Sequence, residues 1–298
     1  MEIERLSLFM DVVRTGSFAA VARARSIAPS SVSRAIQSLE AELGVRLFHR
    51  TTRALSLTSS GEAYASRVEG IVEALDSAAH AARSEGQGPT GRLRVTTSAA
   101  FSERYVQPGL ADFLARYPAL QLDLIQSDQR LDLVADRVDL AVRHGHLEDS
   151  RFISSKLLDV SYHIYVAVER SGARPQTPED LIGQDLLTYG FAPFADDWRC
   201  VSDDQVLRVD VTPRLRVSSA SAMRAAVEAG LGFGILADWL ADPLVKAGRI
   251  ERVCKAWCVA PDDAQRSIWL VRPSRKFVPD KTRLFQAYLL QAVDKKRL

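Results

Sequence analysis

The chain has little cysteine and no long apolar run. Its 298 residues include three cysteines, Cys200, Cys254 and Cys258, an odd and sparse set that excludes a disulfide framework and indicates a reducing compartment. Their spacing matches no recognised metal or redox motif, although a redox pair of Cys254 and Cys258 stays open as an alternative. No uncharged apolar run approaches the ~18 residues that span a bilayer, and five charged residues among the first twenty exclude a secretory signal. We therefore expect a cytoplasmic chain with no membrane partner.

Catalytic and cofactor motifs are also missing. The sequence contains no Gly-x-Ser-x-Gly elbow and no phosphate-binding Walker loop, so no nucleophile or phosphate cradle can be named. The run from Gly230 to Gly234 looks like a dinucleotide fingerprint, but it ends a predicted helix and enters a strand, the reverse of the required order. His144 and His146 lack a third ligand and are interpreted as loop residues. We expect no enzyme, no metal and no cofactor.

Lysine is absent from the first 90 residues, and charge is unevenly distributed there. The whole chain carries a net charge of only +2, which says little about partners. From Arg14 to Arg53, however, seven arginines face two acids, Glu40 and Glu42, for a local charge of +5. Phosphate binding depends on such a local field rather than on the total. At about 150 residues per domain the length suggests two domains, and the Gly/Pro-rich break at 86–91 is the predicted hinge.

The first 44 residues carry a helix-turn-helix pattern. Apolar residues at helical spacing predict a first helix, which Gly16 ends and after which Ser17 can cap a second helix, from about Phe18 to Arg25. A three-residue turn leads to Pro29, which suits the first position of a third helix that ends at Gly44. Helix, short helix, tight turn and longer helix is the order of this motif.

The third helix has a small, polar face opposite its apolar one. At 100° per residue the pole opposite Val32, Ile36, Leu39 and Leu43 holds Ser30, Arg34, Gln37, Ser38 and Ala41, with Ser33 on the flank. Small residues let a helix enter the major groove, while Arg and Gln can pair with guanine and adenine edges. A solvated amphipathic helix is the alternative for this helix alone.

A basic hairpin follows the third helix. Residues 45–50 and 54–57 predict two short strands around Thr51, Thr52 and Arg53. A wing of this kind directly after a candidate recognition helix favours DNA binding over a merely solvated charged face.

A long helix is predicted after the wing. Thr58 or Ser59 can cap it, and Ser59 with Glu62 matches a capping box. An apolar seam with spacings 4-3-4-3-4 follows, formed by Tyr64, Val68, Ile71, Leu75, Ala78 and Ala82. We interpret the seam as a dimer interface, because a helix-turn-helix that reads paired half-sites needs a two-fold partner. Packing against the chain's own second domain is the alternative.

Three runs carry a resemblance to a known family. They are Phe18-Ala19-Ala20-Val21-Ala22, Ala28-Pro29-Ser30-Ser31-Val32-Ser33-Arg34-Ala35-Ile36, and Leu39 to Arg53 closing on Leu57-Thr58-Ser59-Ser60-Gly61. The sequence strongly resembles LysR-type transcriptional regulators along essentially its whole length. The resemblance implies a winged helix-turn-helix (1–58), a linker helix that dimerises (59–86), a hinge (87–91) and an effector domain of the periplasmic-binding-protein kind (92–298). It also implies a homotetramer.

The C-terminal half is predicted to be α/β. Alternating strands and helices indicate mainly parallel sheets. The resemblance divides this half into lobe I (92–160 and 268–298) and lobe II (161–267), with the effector between them. Ser98-Ala99-Ala100 and Ser218-Ser219-Ala220-Ser221 each stand between a strand and a helix, where amides and hydroxyls suit a carboxylate, although mere capping is the alternative. The resemblance adds Gln126, Ser127 and Phe191 as residues that border the cleft.

Together these features predict an effector-responsive transcriptional regulator that binds double-stranded promoter DNA. Arg34, Gln37 and Ser33 would read bases, and His49, Arg50 and Arg53 would hold phosphate or the minor groove. Ser30, Ser31 and Ser38 complete the predicted DNA-binding set. A solute-binding receptor and an enzyme with a fused DNA-binding arm are the alternatives, to be separated by a signal peptide and by turnover of the ligand.

Overall fold

The computed structural model describes residues 3–50, 55–83, 88–129, 131–145, 152–191, 194–260, 267–273 and 278–296. The chain forms two compact units. The first comprises Met1–Pro89 and Arg275–Asp280, and the second Thr90–Ser274 and Lys281–Leu298.

The first unit is a small helical domain with a two-stranded wing. Its elements are α1 (Ile3–Thr15), α2 (Phe18–Ala24), α3 (Pro29–Leu43), β1 (Phe48–Arg50), β2 (Leu55–Leu57) and α4 (Ser59–Arg83). Ser17 caps α2 by accepting a hydrogen bond from the Ala20 amide at 3.2 Å. Gly44 ends α3 in the left-handed conformation, φ 69°, which a glycine adopts without steric cost. Phe48 of β1 pairs with Leu57 of β2 in an antiparallel hairpin.

Aromatic and aliphatic side chains from four helices and the wing form the core of this unit. The Phe9 ring lies between Phe48 and Tyr64, with centroid separations of 5.5 and 5.4 Å, and Phe18 also contacts Phe48. From α3, Val32, Ile36 and Leu39 are fully buried. Burial of one such side chain stabilises the fold by roughly 1.5–3 kcal/mol. The apolar stripe of α3 therefore fixes which of its faces remains outside.

The second unit contains two mixed sheets. Its strands are β3 (Gly91–Thr97), β4 (Leu120–Gln126), β5 (Leu140–His144), β6 (Phe152–Asp159), β7 (Tyr162–Ala167), β8 (Leu186–Tyr189), β9 (Asp197–Val201), β10 (Val206–Asp210), β11 (Pro213–Val217), β12 (Phe233–Ala237), β13 (Ile250–Val253), β14 (Cys258–Val259) and β15 (Ser267–Pro273). Its helices are α5 (Ala99–Phe101), α6 (Leu110–Arg116), α7 (Ala220–Glu228), α8 (Asp238–Lys246) and α9 (Asp280–Asp294).

The first sheet has the order β4-β3-β5-β15-β6, and the second has β10-β9-β14-β7-β12-β8-β11 with β13 also on β7. We call the first sheet with its helices lobe I and the second with its helices lobe II. Among the described strands of this unit, only β3 with β4 and β5, and β8 with β11 and β12, pair in parallel; the other described pairs are antiparallel. The expectation of mainly parallel sheets is therefore wrong. Strands that the sequence pattern did not reveal, β6 and the β9–β10 hairpin, pair antiparallel and account for part of the difference.

Helical structure in this unit is also more broken than its sequence suggests. The helical segment between β3 and β4 consists of α5, a π-helical turn at Ser102–Val106, a 3-10 turn at Gln107–Gly109 and α6. Pro108 lies in the 3-10 turn, where it cannot donate the hydrogen bond of a continuous helix. Between β4 and β5, residues 133–137 form a turn rather than a helix.

Aromatic rings join the two lobes. The ring of Trp239, on α8 of lobe II, lies 6.0 Å from Phe101 and 5.8 Å from Tyr105 of lobe I between centroids. His144, at the end of β5, also stacks near Trp239. Phe101, Tyr105 and Trp239 belong to one hydrophobic core that is continuous from one lobe to the other.

Candidate functional site

The face of α3 opposite its apolar stripe is exposed. Ser30, Arg34, Gln37 and Ala41 are exposed, and Ser31 and Ser33 are half-buried at the flanks. The helix begins at Pro29 after Ala28, which makes no side-chain cap hydrogen bond. The Nε of Arg34 donates to the Ser30 carbonyl at 3.3 Å, which fixes the guanidinium along the helix surface. This face carries a guanidinium, an amide and hydroxyls, which are groups that can form hydrogen bonds with base edges.

Ser38 is engaged within the protein. Arg5 of α1 donates to the Ser38 hydroxyl at 3.0 Å and to the Glu42 carboxylate at 3.2 Å. Ser38 therefore lies at the boundary between the exposed face of α3 and its contact with α1, unlike Arg34 and Gln37.

Glu40, one of the two acids that reduce the local positive charge between Arg14 and Arg53, has a structural role. The Oε1 of Glu40 accepts hydrogen bonds from the amides of Leu47 and Phe48, at 2.8 and 3.2 Å. Glu40 thereby ties the last turns of α3 to the first strand of the wing. Sequence spacing gave no signal for this contact, because it joins residues seven and eight positions apart across the Gly44 turn.

The wing presents His49 at the surface. His49 is exposed on β1, opposite Ser56 of β2. Arg50 closes β1, and its side chain lies outside the described part of the chain, as does all of Arg53. His49 therefore lies on the wing strand that follows the C-terminal end of α3.

The start of α4 corrects one expectation. Thr58, and not Ser59, is the capping residue: its hydroxyl accepts from the Gly61 amide at 2.9 Å and donates to the Arg46 carbonyl at 2.7 Å. Ser59 is already the first helical residue. The predicted Ser59–Glu62 capping box is therefore wrong, because the backbone after β2 turns into the helix one residue earlier.

The predicted apolar seam of α4 divides into two parts. Tyr64 and Val68 pack into the core of the first unit, together with Ala65 and Val72. Ile71 is 51% exposed, and Leu75 is half-buried. The side chains of Ala78 and Ala82 lie outside the described residues. The first turns of α4 are thus part of the winged domain, and its next turn offers an apolar side chain to solvent.

Both serine clusters of the second unit begin helices. Ser98 accepts from the Phe101 amide and Ser219 from the Ala222 amide, each at 3.2 Å. These two hydroxyls therefore act as helix caps, which was the alternative interpretation of the two clusters. Ala99 and Ala100 occupy the first turn after Ser98, and Ala100 is buried. Ser218 is exposed. The Ser221 hydroxyl donates a hydrogen bond to the carboxylate of Glu103, on the other lobe, at 3.4 Å.

The remaining predicted cleft residues surround the end of β3. Gln126 donates to the Ser102 hydroxyl at 2.9 Å, and the Ser127 amide donates to the Thr97 carbonyl at 2.9 Å. Burial raises the pKa of Asp128, which follows Ser127. On lobe II, Phe191 is 45% exposed and its ring lies 5.1 Å from that of buried Tyr189.

Thr97, directly before the Ser98 cluster, was not among the residues predicted from the sequence. Its side chain is 1% exposed, and its hydroxyl has no hydrogen-bond partner among the described residues. A buried hydroxyl without a partner is costly, by roughly 1–3 kcal/mol. Its position at the last residue of β3, directly before Ser98, was the available signal.

No cluster of three metal-ligating side chains occurs within the described ranges. His144 stands alone at the end of β5, and burial lowers its pKa to about 4, so it is uncharged at neutral pH. His146 lies outside the described residues. The glycine run ends α7 and enters β12 as expected, and a Cβ on Gly232 would come within 2.2 Å of the Asp185 carbonyl oxygen.

The three cysteines lie near one another on lobe II but differ in exposure. Cys200 of β9 is paired with Val259, beside Cys258, and Cys254 donates to the Thr177 carbonyl. Burial raises the pKa of Cys200 and of Cys254 to about 12. The thiolate is the reactive form, so both thiols are held in their inert state at neutral pH.

We expect Cys258, the half-buried thiol, to react with iodoacetamide at pH 8 at least tenfold faster than Cys200 and Cys254. Because the pKa of the two buried thiols is about 12, their thiolate fraction and their alkylation rate should rise about tenfold per pH unit up to that value. Peptide mass spectrometry of timed samples measures this, with Cys258→Ser as the control that removes the fast phase. Equal rates at all three positions would contradict the assignment.

None of the helices in the described ranges is both long and apolar enough to cross a membrane. A winged helix-turn-helix with an exposed polar recognition face, followed by a two-lobed α/β domain with paired helix starts, defines the class of DNA-binding regulators that carry a ligand-binding domain.

Comparison with known proteins gives the family. Residues 3–62 match the model for bacterial regulatory helix-turn-helix proteins of the lysR family, and residues 86–294 match the LysR substrate binding domain. The chain is 32% identical over 257 residues to an HTH-type transcriptional regulator of Xanthomonas campestris pv. campestris, covering 84% of this chain and 74% of that protein. It is 31% identical over 290 residues to the regulator PtxR of Pseudomonas aeruginosa, covering 96% and 91%.

A solved structure agrees. CrgA, a LysR-type transcriptional regulator from Neisseria meningitidis, superposes with a TM-score of 0.62 at 29% identity, over 98% of this chain and 99% of that one. The chain belongs to the LysR-type transcriptional regulators, so it is a DNA-binding regulator with an effector-binding domain. The family consists of regulators rather than enzymes, and it binds DNA and small-molecule effectors and oligomerises. The family and the fold class predicted from the sequence are confirmed.

Proposed function

We propose that this regulator binds a specific promoter sequence and that a small anionic effector, a carboxylate, held between lobe I and lobe II modulates its activity. The DNA-binding part rests on α3. Its exposed face, with Arg34 and Gln37 at the pole, is the only face of this helix not packed on the core of its own unit. Arg34, Gln37 and Ser33 read base edges. Ser30 and Ser31, at the start of the helix, approach the DNA backbone. His49, Arg50 and Arg53 of the wing bind phosphate or the minor groove.

The effector part rests on one observation, the orphan hydroxyl of Thr97 beside the start of α5. The amide-rich first turns of the helices capped by Ser98 and Ser219 lie on the two lobes, and each favours a negative charge. A carboxylate between them accepts from the backbone and from Thr97, with Gln126, Ser127 and Phe191 bordering it and Ser218 and Ser221 on the lobe II side. Such a ligand satisfies a buried group that the protein leaves without a partner.

The same reasoning extends to assembly. The protein dimerises through α4, for which exposed Ile71 supplies apolar contact area, and two dimers form a homotetramer in the cytoplasm, where its DNA target lies. Closure of the lobes on the effector changes the angle between dimers and so the bending of the bound DNA.

The experiment is a footprint of the protein on DNA flanking its own gene, with and without the sodium salts of a panel of small carboxylates. A protected stretch whose extent or internal hypersensitivity changes with one carboxylate supports the proposal. Protection that no carboxylate alters would contradict the effector part, and no protection at all would contradict sequence-specific binding at this site.

Thr97→Val provides a sharper test of the effector site. Valine has the shape of threonine without the hydroxyl, and no internal hydrogen bond is lost, so stability should stay within about 1 kcal/mol or rise. The carboxylate concentration for a half-maximal footprint change should rise about tenfold. The matched control is Thr282→Val, since Thr282 on α9 is also buried with an unpartnered hydroxyl. If both variants respond like wild type, Thr97 does not contact the effector.

A further inference from the structure

One ion pair crosses between the lobes at the predicted effector site. Glu103 lies in the π-helical turn of lobe I, one turn beyond Ala99. Its Oε2 accepts from Nη2 of Arg224 at 3.1 Å, and its Oε1 accepts from the Ser221 hydroxyl at 3.4 Å. Ser221 and Arg224 both lie on α7 of lobe II, in the turns that follow the Ser219 cap. A carboxylate of the protein is thus held by the first turns of α7.

The groups that hold Glu103 are those that an anionic ligand would use. A hydroxyl and a guanidinium, both from the first turns of a nine-residue helix, contact its carboxylate. The buried Nε of Arg224 has no hydrogen-bond partner among the described residues.

The ion pair between Glu103 and Arg224 is weak enough to be replaced by another contact. The side chains of Arg224 and Glu103 are 35% and 40% exposed, so solvent screens their attraction. The aromatic contacts of Trp239 with Phe101 and Tyr105 are buried and do not involve the ion pair. The two lobes are therefore joined by contacts that do not depend on Glu103.

We propose that Glu103 is a built-in competitor of the effector: its carboxylate occupies Ser221 and Arg224 in the unliganded protein, and an anionic effector displaces it. This inference rests on the proposed function, in which the effector is an anion bound between the lobes. The affinity for the effector is then set partly by the strength of the Glu103–Arg224 pair. Substitution at either residue shifts the concentration range in which the regulator responds.

The test uses inorganic sulfate as the probe, because helix starts bind it and it carries no chemistry of its own. Isothermal titration of the full-length protein in low-salt buffer compares wild type with Glu103→Gln, which keeps the shape of the side chain and removes its charge. Glu103→Asp, one methylene shorter, is the second variant. We expect sulfate to bind Glu103→Gln about fivefold more tightly than wild type, and this gain to disappear in the double variant with Arg224→Gln.

The matched control is Glu251→Gln. Glu251 lies on β13 and pairs with Arg174 at 2.5 Å, with 36% and 27% exposed side chains, and neither residue belongs to α7. It should leave sulfate binding unchanged. Equal sulfate affinity in wild type and Glu103→Gln overturns the competition and leaves the anionic cleft standing. A gain that survives Arg224→Gln also overturns it, and no sulfate binding to any of the proteins overturns both proposals.

Discussion

Arg34→Ala should lower the affinity for the protein's own promoter site by about 10- to 100-fold while leaving affinity for unrelated DNA nearly unchanged. The loss corresponds to about 1–3 kcal/mol, the discrimination that one bidentate arginine–base pair supplies. Arg34 is exposed on α3, and its Nε is held by the Ser30 carbonyl, so the guanidinium is ordered before DNA arrives. Gel shifts at several salt concentrations, with the promoter fragment and with random DNA, measure both affinities.

The salt dependence separates base reading from phosphate binding. A base-reading arginine changes the intercept of log K against log salt and leaves the slope nearly intact, whereas a phosphate contact lowers affinity for all sequences and the slope by about one. We expect Arg34→Ala to follow the first pattern and Arg53→Ala the second. Arg208→Ala, which removes one exposed charge of lobe II, is the control for net charge. If the double variant Arg34→Ala with Arg53→Ala binds the promoter as well as wild type, the recognition surface has been misassigned.

The recognition face could be predicted from the sequence because it depends on short-range periodicity. Apolar residues every three or four positions between Pro29 and Gly44 determine which side of α3 is buried, and that burial is observed. Contacts between distant residues carry no such signal. Glu40 ties α3 to the wing across a turn, and Glu103 reaches a residue 118 positions away, so neither could be inferred from spacing.

The prediction of mainly parallel sheets was wrong for a related reason. Alternation of strands with helices was visible, but β6 and the β9–β10 hairpin were not recognised as strands, and they bring antiparallel pairing into both sheets. The capping residue of α4 stayed open between Thr58 and Ser59, because both satisfy the local pattern. The hydrogen bonds of the Thr58 hydroxyl, with the Gly61 amide and with the Arg46 carbonyl twelve residues away, decide between them. Local patterns therefore located the helices, and long-range hydrogen bonds determined how they are joined.

Gly61→Ala should destabilise the first unit by more than about 2 kcal/mol, although alanine is the better helix former by about 1 kcal/mol. A Cβ at this position in the first turn of α4 would lie 2.0 Å from the carbonyl oxygen of Leu47 and 3.0 Å from the Leu57 side chain. The Leu47 oxygen belongs to the backbone between α3 and the wing and accepts from the Thr58 amide at 2.9 Å. Relief of the clash must move backbone, and overpacking of this kind typically costs about 1–3 kcal/mol and occasionally more.

Calorimetry of the full-length protein, with hydrogen exchange of peptides from α1 to α4, measures this effect. For a domain of this size each kcal/mol lowers the midpoint by about 4–8 °C, so a shift of more than 8 °C is expected in the transition of the first unit. Gly190→Ala is the control, because its nearest neighbour, the Val217 oxygen, would lie at an ordinary 3.8 Å. DNA affinity should fall with the displaced wing in Gly61→Ala. An unchanged or higher midpoint would show that helix propensity outweighs the close approach of Leu47, and that the connection between α3 and the wing is looser than these contacts indicate.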